Sequence, residues 1–400
     1  MPDLPLHSAA LFDTRSEFAR DLPLELIAAW MRGERTPQAA RELLEPYRVT
    51  GTVAVSDSAG LTRLTLQREP LEVMALINQP KELVHEYGTA IGGRAMGIWT
   101  ADNTSMFYPD TVPAAQIASM LLAVQNRIHA ECEVQIGIGV HHGSFFILSD
   151  SLYGAEAEHI ECLAEDRTAG VEIVVTEAFA SLLGPEFQRV ARAQIPCDFT
   201  DGLRLLGGPC LPPPATGKRR YPLPFSNDFY DCLPSYREQR SVVERFRRYR
   251  TVLLVEREPV TSQETEYSVL ADMTAAAVAR VRGNWLLGST AGEEVKTAGS
   301  LSIYVFEDAA EAWTFALRLR ELLESDGIRT RSGLATGDVL LFDLEEGGRE
   351  ISGNPVNLAS KVAQDHGEFG RIYSLDSTPP PDSRQLSFLI AGADRTVWVA

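Results

Sequence analysis

Asn357 and Lys361 stand four residues apart in a segment that reads as a helix, so an amide and a cation share one face. Gly353-Asn354-Pro355 makes the turn before it, Pro355 suits the first helical position, and Val356, Leu358, Ala359 and Val362 supply an inward stripe. Free N–H groups at a helix start, with a cation one turn further in, suit phosphate and the charge that develops during phosphoryl transfer. A solvated helix face is the commoner use of a lone Asn/Lys pair, so the rest of the chain decides. Asp57 and Asp102 stand at loop ends among small neighbours. Singly, such aspartates are more often turn formers or helix caps. As a pair they suit a divalent metal, since magnesium takes one or two carboxylates together with substrate phosphates.

Elements must hold these groups in place. Residues 49–55 read as a buried strand running through Asp57 into the turn Ser58-Ala59-Gly60-Leu61-Thr62, with helical material to about 87. Residues 88–98 and 104–108 read as hairpin arms with Asp102 at the tip; a helix over 112–130 and a strand over 134–140 follow. Tyr153-Gly154 opens a helix to about 164, and a strand (171–175) and a helix (177–183) complete the pattern. The pattern then returns: a strand over 251–255 ending at Glu256, a helix over 265–281, a hairpin of 295–300 with 301–306, a helix over 309–323, and two strands within 330–341 around Gly337. Asp57 to Gly154 and Glu256 to Gly353 are both 97 residues, and Asp57 to Asp102 and Glu256 to Ser300 are 45 and 44. A repeat near 199 residues is far too long for a solenoid unit and means two copies of one domain, able to pair about a pseudo-twofold axis.

The expected organisation is a helical segment over 1–44, a first domain over 45–206, a Pro-rich linker over 207–247 and a second domain over 248–400. Gly217-Lys218 is not a phosphate loop, because Pro212 occupies the first glycine position and no serine or threonine follows the lysine. A net charge of −18 excludes general binding to nucleic acid or anionic lipid. No apolar run spans a bilayer and residues 1–20 lack a signal-peptide pattern, so no membrane contact and a cytoplasmic location are expected. Five scattered cysteines suggest neither a disulfide framework nor zinc. The adjacent His141 and His142 would point to opposite faces of a strand, a poor chelate.

Chemistry is divided between the copies. The first holds Asp57 and Asp102 where the second has Glu256 and Ser300; the second holds Lys296, Glu350, Asn357 and Lys361 where the first has Ile98, Ser151, Glu158 and Cys162. That division points to one composite site and one degenerate one.

At these motifs the chain resembles the class III nucleotidyl cyclases, the adenylate and guanylate cyclase family. Residues Val53 through Thr62 resemble that family's first metal motif and Ala101-Asp102 its second; Lys296-Thr297-Ala298-Gly299-Ser300 resembles its purine-reading strand, and Ile351 through Lys361 its transition-state helix. The resemblance covers about residues 48–205 and 248–400. It implies two ferredoxin-like α/β domains forming an intramolecular pseudo-heterodimer, which close ATP to 3′,5′-cyclic AMP and pyrophosphate. Two Mg²⁺ or Mn²⁺ ions would sit at Asp57 and Asp102, with Ala59, Gly60, Leu61 and Thr62 at the bound nucleotide. Lys296 and Glu350 would read adenine, Asn357 orient the ribose, and Lys361 stabilise the pentavalent phosphorus. Lys296 as donor and Glu350 as acceptor complement adenine, whereas guanine shows the opposite pattern.

Departures from the family pattern keep a second reading open. Lysine replaces the family's arginine at Lys361, Glu350 replaces an aspartate, Gly137 stands where a phosphate-binding arginine is expected, and a C-terminal phosphate lysine near residues 391–392 is missing. The alternative is a pseudo-cyclase that binds nucleotide or a partner without turnover, with the degenerate site, including Ile98 and Cys162, taking a regulatory protein or small apolar molecule.

Overall fold

The computed structural model describes residues 23–97, 99, 103–191, 202–214, 233, 244–260, 262, 264–343, 349–376, 382–390 and 392–400. Asp102 and Ile98 lie outside the described residues, as does most of the Pro-rich stretch. The chain divides into two compact units, one of residues 1–43, 62–71 and 225–400, the other of 44–61 and 72–224.

In chain order, α1 (Leu24–Arg32) and α2 (Pro37–Leu44) precede the first repeat. That repeat runs β1 (Arg48–Ser58), α3 (Leu61–Gln67), α4 (Pro70–Ala90), β2 (Arg94–Ala95), β3 (Thr104–Pro109), α5 (Ala114–Glu131), β4 (Ile136–Leu148), β5 (Ser151–Tyr153), α6 (Ala155–Arg167), β6 (Ile173–Val175), α7 (Glu177–Ala180), β7 (Gln188–Ala191) and β8 (Leu203–Gly207). The second runs β9 (Arg247–Arg257), α8 (Thr265–Leu287), β10 (Glu293–Ala298), β11 (Leu301–Phe306), α9 (Ala309–Ser325), β12 (Thr330–Asp343), β13 (Arg349–Ser352), α10 (Asn354–Gln364), β14 (Ile372–Ser374), β15 (Arg384–Ile390) and β16 (Ala393–Val399). The first sheet has the order β2-β3-β1-β4-β6-β8-β7 with β5 on β4; the second has β10-β11-β9-β12-β14-β16-β15 with β13 on β12. The two orders correspond strand for strand. The two-domain α/β architecture expected from the spacing is therefore present.

Sheet two is covered on both faces, which is why β9 reads as an unbroken apolar run. Alternation sorts its side chains. Leu253 and Val255 join Tyr304, Phe306, Trp313 and Phe315 on the α8/α9 side, while Val252 and Leu254 join Ile303, Val339, Ile351 and Leu358 on the α10 side. Helix α10 lies very close to β12: a Cβ built on Gly333 would come within 2.1 Å of the Ala359 carbonyl oxygen. Gly353 enters that helix at φ 144°, a conformation that favours glycine, and Gly154 holds the matching place before α6 at φ 112°.

Two local readings change. The two strands expected around Gly337 are one strand, β12, because Gly337 keeps its pairing with Arg250 and Thr336 pairs with Thr251, their hydroxyls 2.8 Å apart. The arm expected over 88–98 is mostly not strand: α4 continues to Ala90, with Thr89 Oγ1 donating to the His85 carbonyl, and β2 has only two residues. The N-terminal helices pack within the unit that holds the second repeat, where Trp30 meets Tyr267 edge-on at 5.5 Å and Arg41 pairs with Glu264 at 2.6 Å.

Candidate nucleotide site

Lys296 on β10 and Glu350 on β13, 54 residues apart in sequence, meet in the second repeat. Lys296 Nζ donates to Glu350 Oε2 at 3.2 Å, and the other carboxylate oxygen accepts from the Ile351 amide at 3.0 Å. Glu350 is 4% exposed and Lys296 about a quarter, so the carboxylate is the fixed member and the ammonium the accessible one. The bond joins β10 to β13, which pair with β11 and β12 and not with each other, a meeting that no local pattern encodes.

Asn357 is half-buried in the first turn of α10. Lys361 lies in its last turn, where the helix dipole favours a cation, and donates to Asp365 Oδ2 at 3.2 Å. The anion-binding argument from the helix start therefore reaches Asn357 and not Lys361. The Lys361–Asp365 contact is an exposed pair four residues apart, worth about 0.3–0.5 kcal/mol, and does not tie the lysine down.

Glu256, at the place corresponding to Asp57, is engaged by Arg331, whose Nε donates to Glu256 Oε2 at 2.6 Å. The same guanidinium donates to the Gln364 and Gly367 carbonyls at 3.0 and 3.2 Å and lies 4.7 Å over the Phe369 ring. Register explains the pair: Arg331 is the direct partner of Glu256 across β9 and β12, and Gly137 is the direct partner of Asp57 across β1 and β4. Sequence reading missed Arg331. The signal was there in the arginine two residues before Gly333, but its partner becomes visible only once strands are paired.

In the other unit, Asp57 is half-buried near the end of β1, on the face that Val53 and Val55 share with α6. Beyond it the Ala59 amide donates to the Gln135 carbonyl at 2.9 Å, Gly60 turns the chain at φ 81° with open space where a Cβ would stand, and Leu61 and Thr62 begin α3. A half-buried carboxylate faced by a glycine is chemically suited to a divalent ion. Among the described residues no group of three or more His, Cys, Asp and Glu is placed to hold a metal.

His141 and His142 point to opposite faces of β4, as alternation requires. His141 Nδ1 is 2.9 Å from Thr176 Oγ1, its Nε2 is 3.6 Å from Glu156 Oε2, and its ring stacks on His159 with centroids 5.6 Å apart. His142 Nδ1 lies 3.2 Å from Thr52 Oγ1 on the other side. Burial lowers the pKa of His141, opposed by Glu156, and burial lowers that of His159 as well.

No family profile and no curated protein matches the sequence. Solved structures do match in fold. A class III adenylyl cyclase-like ATP-binding protein from Pseudomonas aeruginosa superposes with a TM-score of 0.53 at 13% identity, covering 82% of this chain and 83% of that one. The adenylyl cyclase CyaB from the same organism covers 40% of this chain and 95% of its own, at 17% identity and a TM-score of 0.37. A guanylate cyclase domain from Catenaria anguillulae, solved with GTP, covers 38% and 96% at 20% identity and a TM-score of 0.31. The first of these, spanning most of both chains, shows that this chain has the class III cyclase-like fold. Among the described residues no helix is long and apolar enough to cross a membrane.

Proposed function

We propose that this chain, with its class III cyclase-like fold, binds a purine nucleoside triphosphate with divalent metal and closes ATP to 3′,5′-cyclic AMP. The observation that carries the reading is the Lys296–Glu350 pair, a cation and a buried carboxylate held 3.2 Å apart. On base binding, Lys296 donates to a ring nitrogen and Glu350 accepts from an exocyclic amine, the pattern of adenine. Asn357 orients the ribose, and its 3′-hydroxyl oxygen attacks the α-phosphorus as the proton leaves and pyrophosphate departs. Lys361, released from its weak contact with Asp365, neutralises charge on the phosphorus oxygens. Asp57 and Asp102 would hold the metal, which when bound would lower the pKa of the 3′-hydroxyl and screen the triphosphate.

A second reading, binding without turnover, is favoured by three observations. Lys361 lacks the planar fork of arginine, and Gly137 stands where the resemblance expects a phosphate-binding arginine. The P. aeruginosa protein of like fold is itself described as ATP-binding. Incubation of the full chain with each of four ribonucleotides and Mg²⁺ or Mn²⁺, read by mass spectrometry, separates the two. Cyclic AMP that disappears in Asp57→Ala and in Lys361→Ala supports catalysis. Metal-dependent ATP binding with no cyclic product from any nucleotide supports the second reading, and absence of both binding and product overturns the two together.

A further inference from the structure

Strand β10 is irregular where it carries Lys296. Glu294 pairs with Tyr304 and Lys296 with Ile303, which leaves Val295 as an extra residue in a bulge. In a regular strand, residues 294 and 296 would point the same way. Here they do not. Tyr304 belongs to the core beneath α8 and α9, and Ile303 to the core beneath α10, so the bulge turns Lys296 away from the Glu294 side to that of Ile303, from where its ammonium reaches Glu350.

The other side of the bulge is pinned by side chains. Glu294 forms an ion pair with Arg280 at 3.2 Å, both about 90% buried, and accepts from Asn284 Nδ2, one turn further along α8. Thr297 pairs with Ser302, which shares the α8 face with Tyr304. Its hydroxyl lies 3.0 Å from Glu294 Oε1 and 3.1 Å from Ser302 Oγ, so the residues flanking the bulge are linked to each other as well as to α8. A carboxylate this buried needs such partners, and an unbulged strand would leave Arg280 facing a different residue.

We infer that Glu294, held by Arg280, Asn284 and Thr297, is a positioning residue that fixes the β10 bulge and thereby aims Lys296 at the base of the nucleotide. This rests on Lys296 and Glu350 being the base-reading pair. It adds that base selectivity is set from the opposite face of the sheet, by groups that never touch the ligand.

The test uses the full chain with Mg²⁺ and compares calorimetric affinities for ATP, GTP and inorganic tripolyphosphate in wild type, Lys296→Ala, Glu294→Gln and Thr297→Val. Glu294→Gln is expected to weaken ATP about tenfold, erase the preference over GTP and leave tripolyphosphate unchanged, a pattern that general destabilisation does not produce. Thr297→Val, which removes one hydrogen bond and no charge, should shift ATP in the same direction and decides the matter if Glu294→Gln does not fold. Glu294→Gln combined with Lys296→Ala should bind ATP no more weakly than Lys296→Ala alone. If Lys296→Ala weakens ATP and neither Glu294→Gln nor Thr297→Val does, the positioning role is overturned while the base reading stands. If Lys296→Ala itself leaves ATP affinity unchanged, the base reading fails, and the positioning role with it.

Discussion

Arg331 donates to Glu256 at 2.6 Å across β9 and β12, and at the same step of the first repeat Asp57 faces Gly137. One repeat therefore answers its strand-end acid with a guanidinium from the neighbouring strand, and the other does not. The difference gives the two repeats unequal chemistry at corresponding places. Arg331→Met should leave the Glu256 carboxylate, only 13% exposed, without its main partner and cost about 2–4 kcal/mol. Urea unfolding measures it; a loss below 0.5 kcal/mol would mean that solvent already satisfies the carboxylate.

Glu350→Gln keeps size and removes charge beside Lys296. The amide still has an acceptor oxygen, so ATP should bind about tenfold more weakly rather than not at all, with inorganic pyrophosphate unaffected. Titration calorimetry distinguishes this from a folding defect, which would weaken both ligands.

Asp57→Asn should separate metal from base. The variant is expected to lose most of the strengthening of ATP binding by Mg²⁺ while keeping its preference for ATP over GTP. An unchanged Mg²⁺ dependence would remove Asp57 from the metal assignment.

Gly333→Ala places a methyl group 2.1 Å from the Ala359 carbonyl oxygen, a backbone atom of α10 that cannot rotate away. The helix must lift from β12, at a cost of about 1–3 kcal/mol, and Asn357 and Lys361 lift with it. Melting temperature and ATP affinity should fall together. A variant as stable as wild type would show that α10 has room to shift.

Stability should depend on pH through His141. Burial holds it neutral, its pKa below the ordinary value of about 6.5, and outweighs the opposing pull of Glu156. Below about pH 6.5 the unfolded chain binds a proton there that the folded chain resists, so stability is full above that pH and declines as pH falls through it. His159 is shifted the same way. Urea midpoints should be level from pH 8 to 7 and drop toward 5.5, with a smaller drop in His141→Gln. Equal drops in both proteins would assign the effect to other groups.

Much of this protein was legible from the chain alone. The 97-residue interval from Asp57 to Gly154 and from Glu256 to Gly353 announced two copies, because hydrophobic period and turn chemistry are local properties written along the sequence. The apolar run of β9 and the helix opened by Gly353 and Pro355 were readable for the same reason. What needed the tertiary structure was register. The bulge at Val295, the pairing of Arg331 with Glu256, the continuity of β12 through Gly337 and the meeting of Lys296 with Glu350 each depend on which residue of one strand lies beside which residue of another. That choice is made by packing two faces of a sheet at once, and a shift of one residue would turn every side chain to the opposite face.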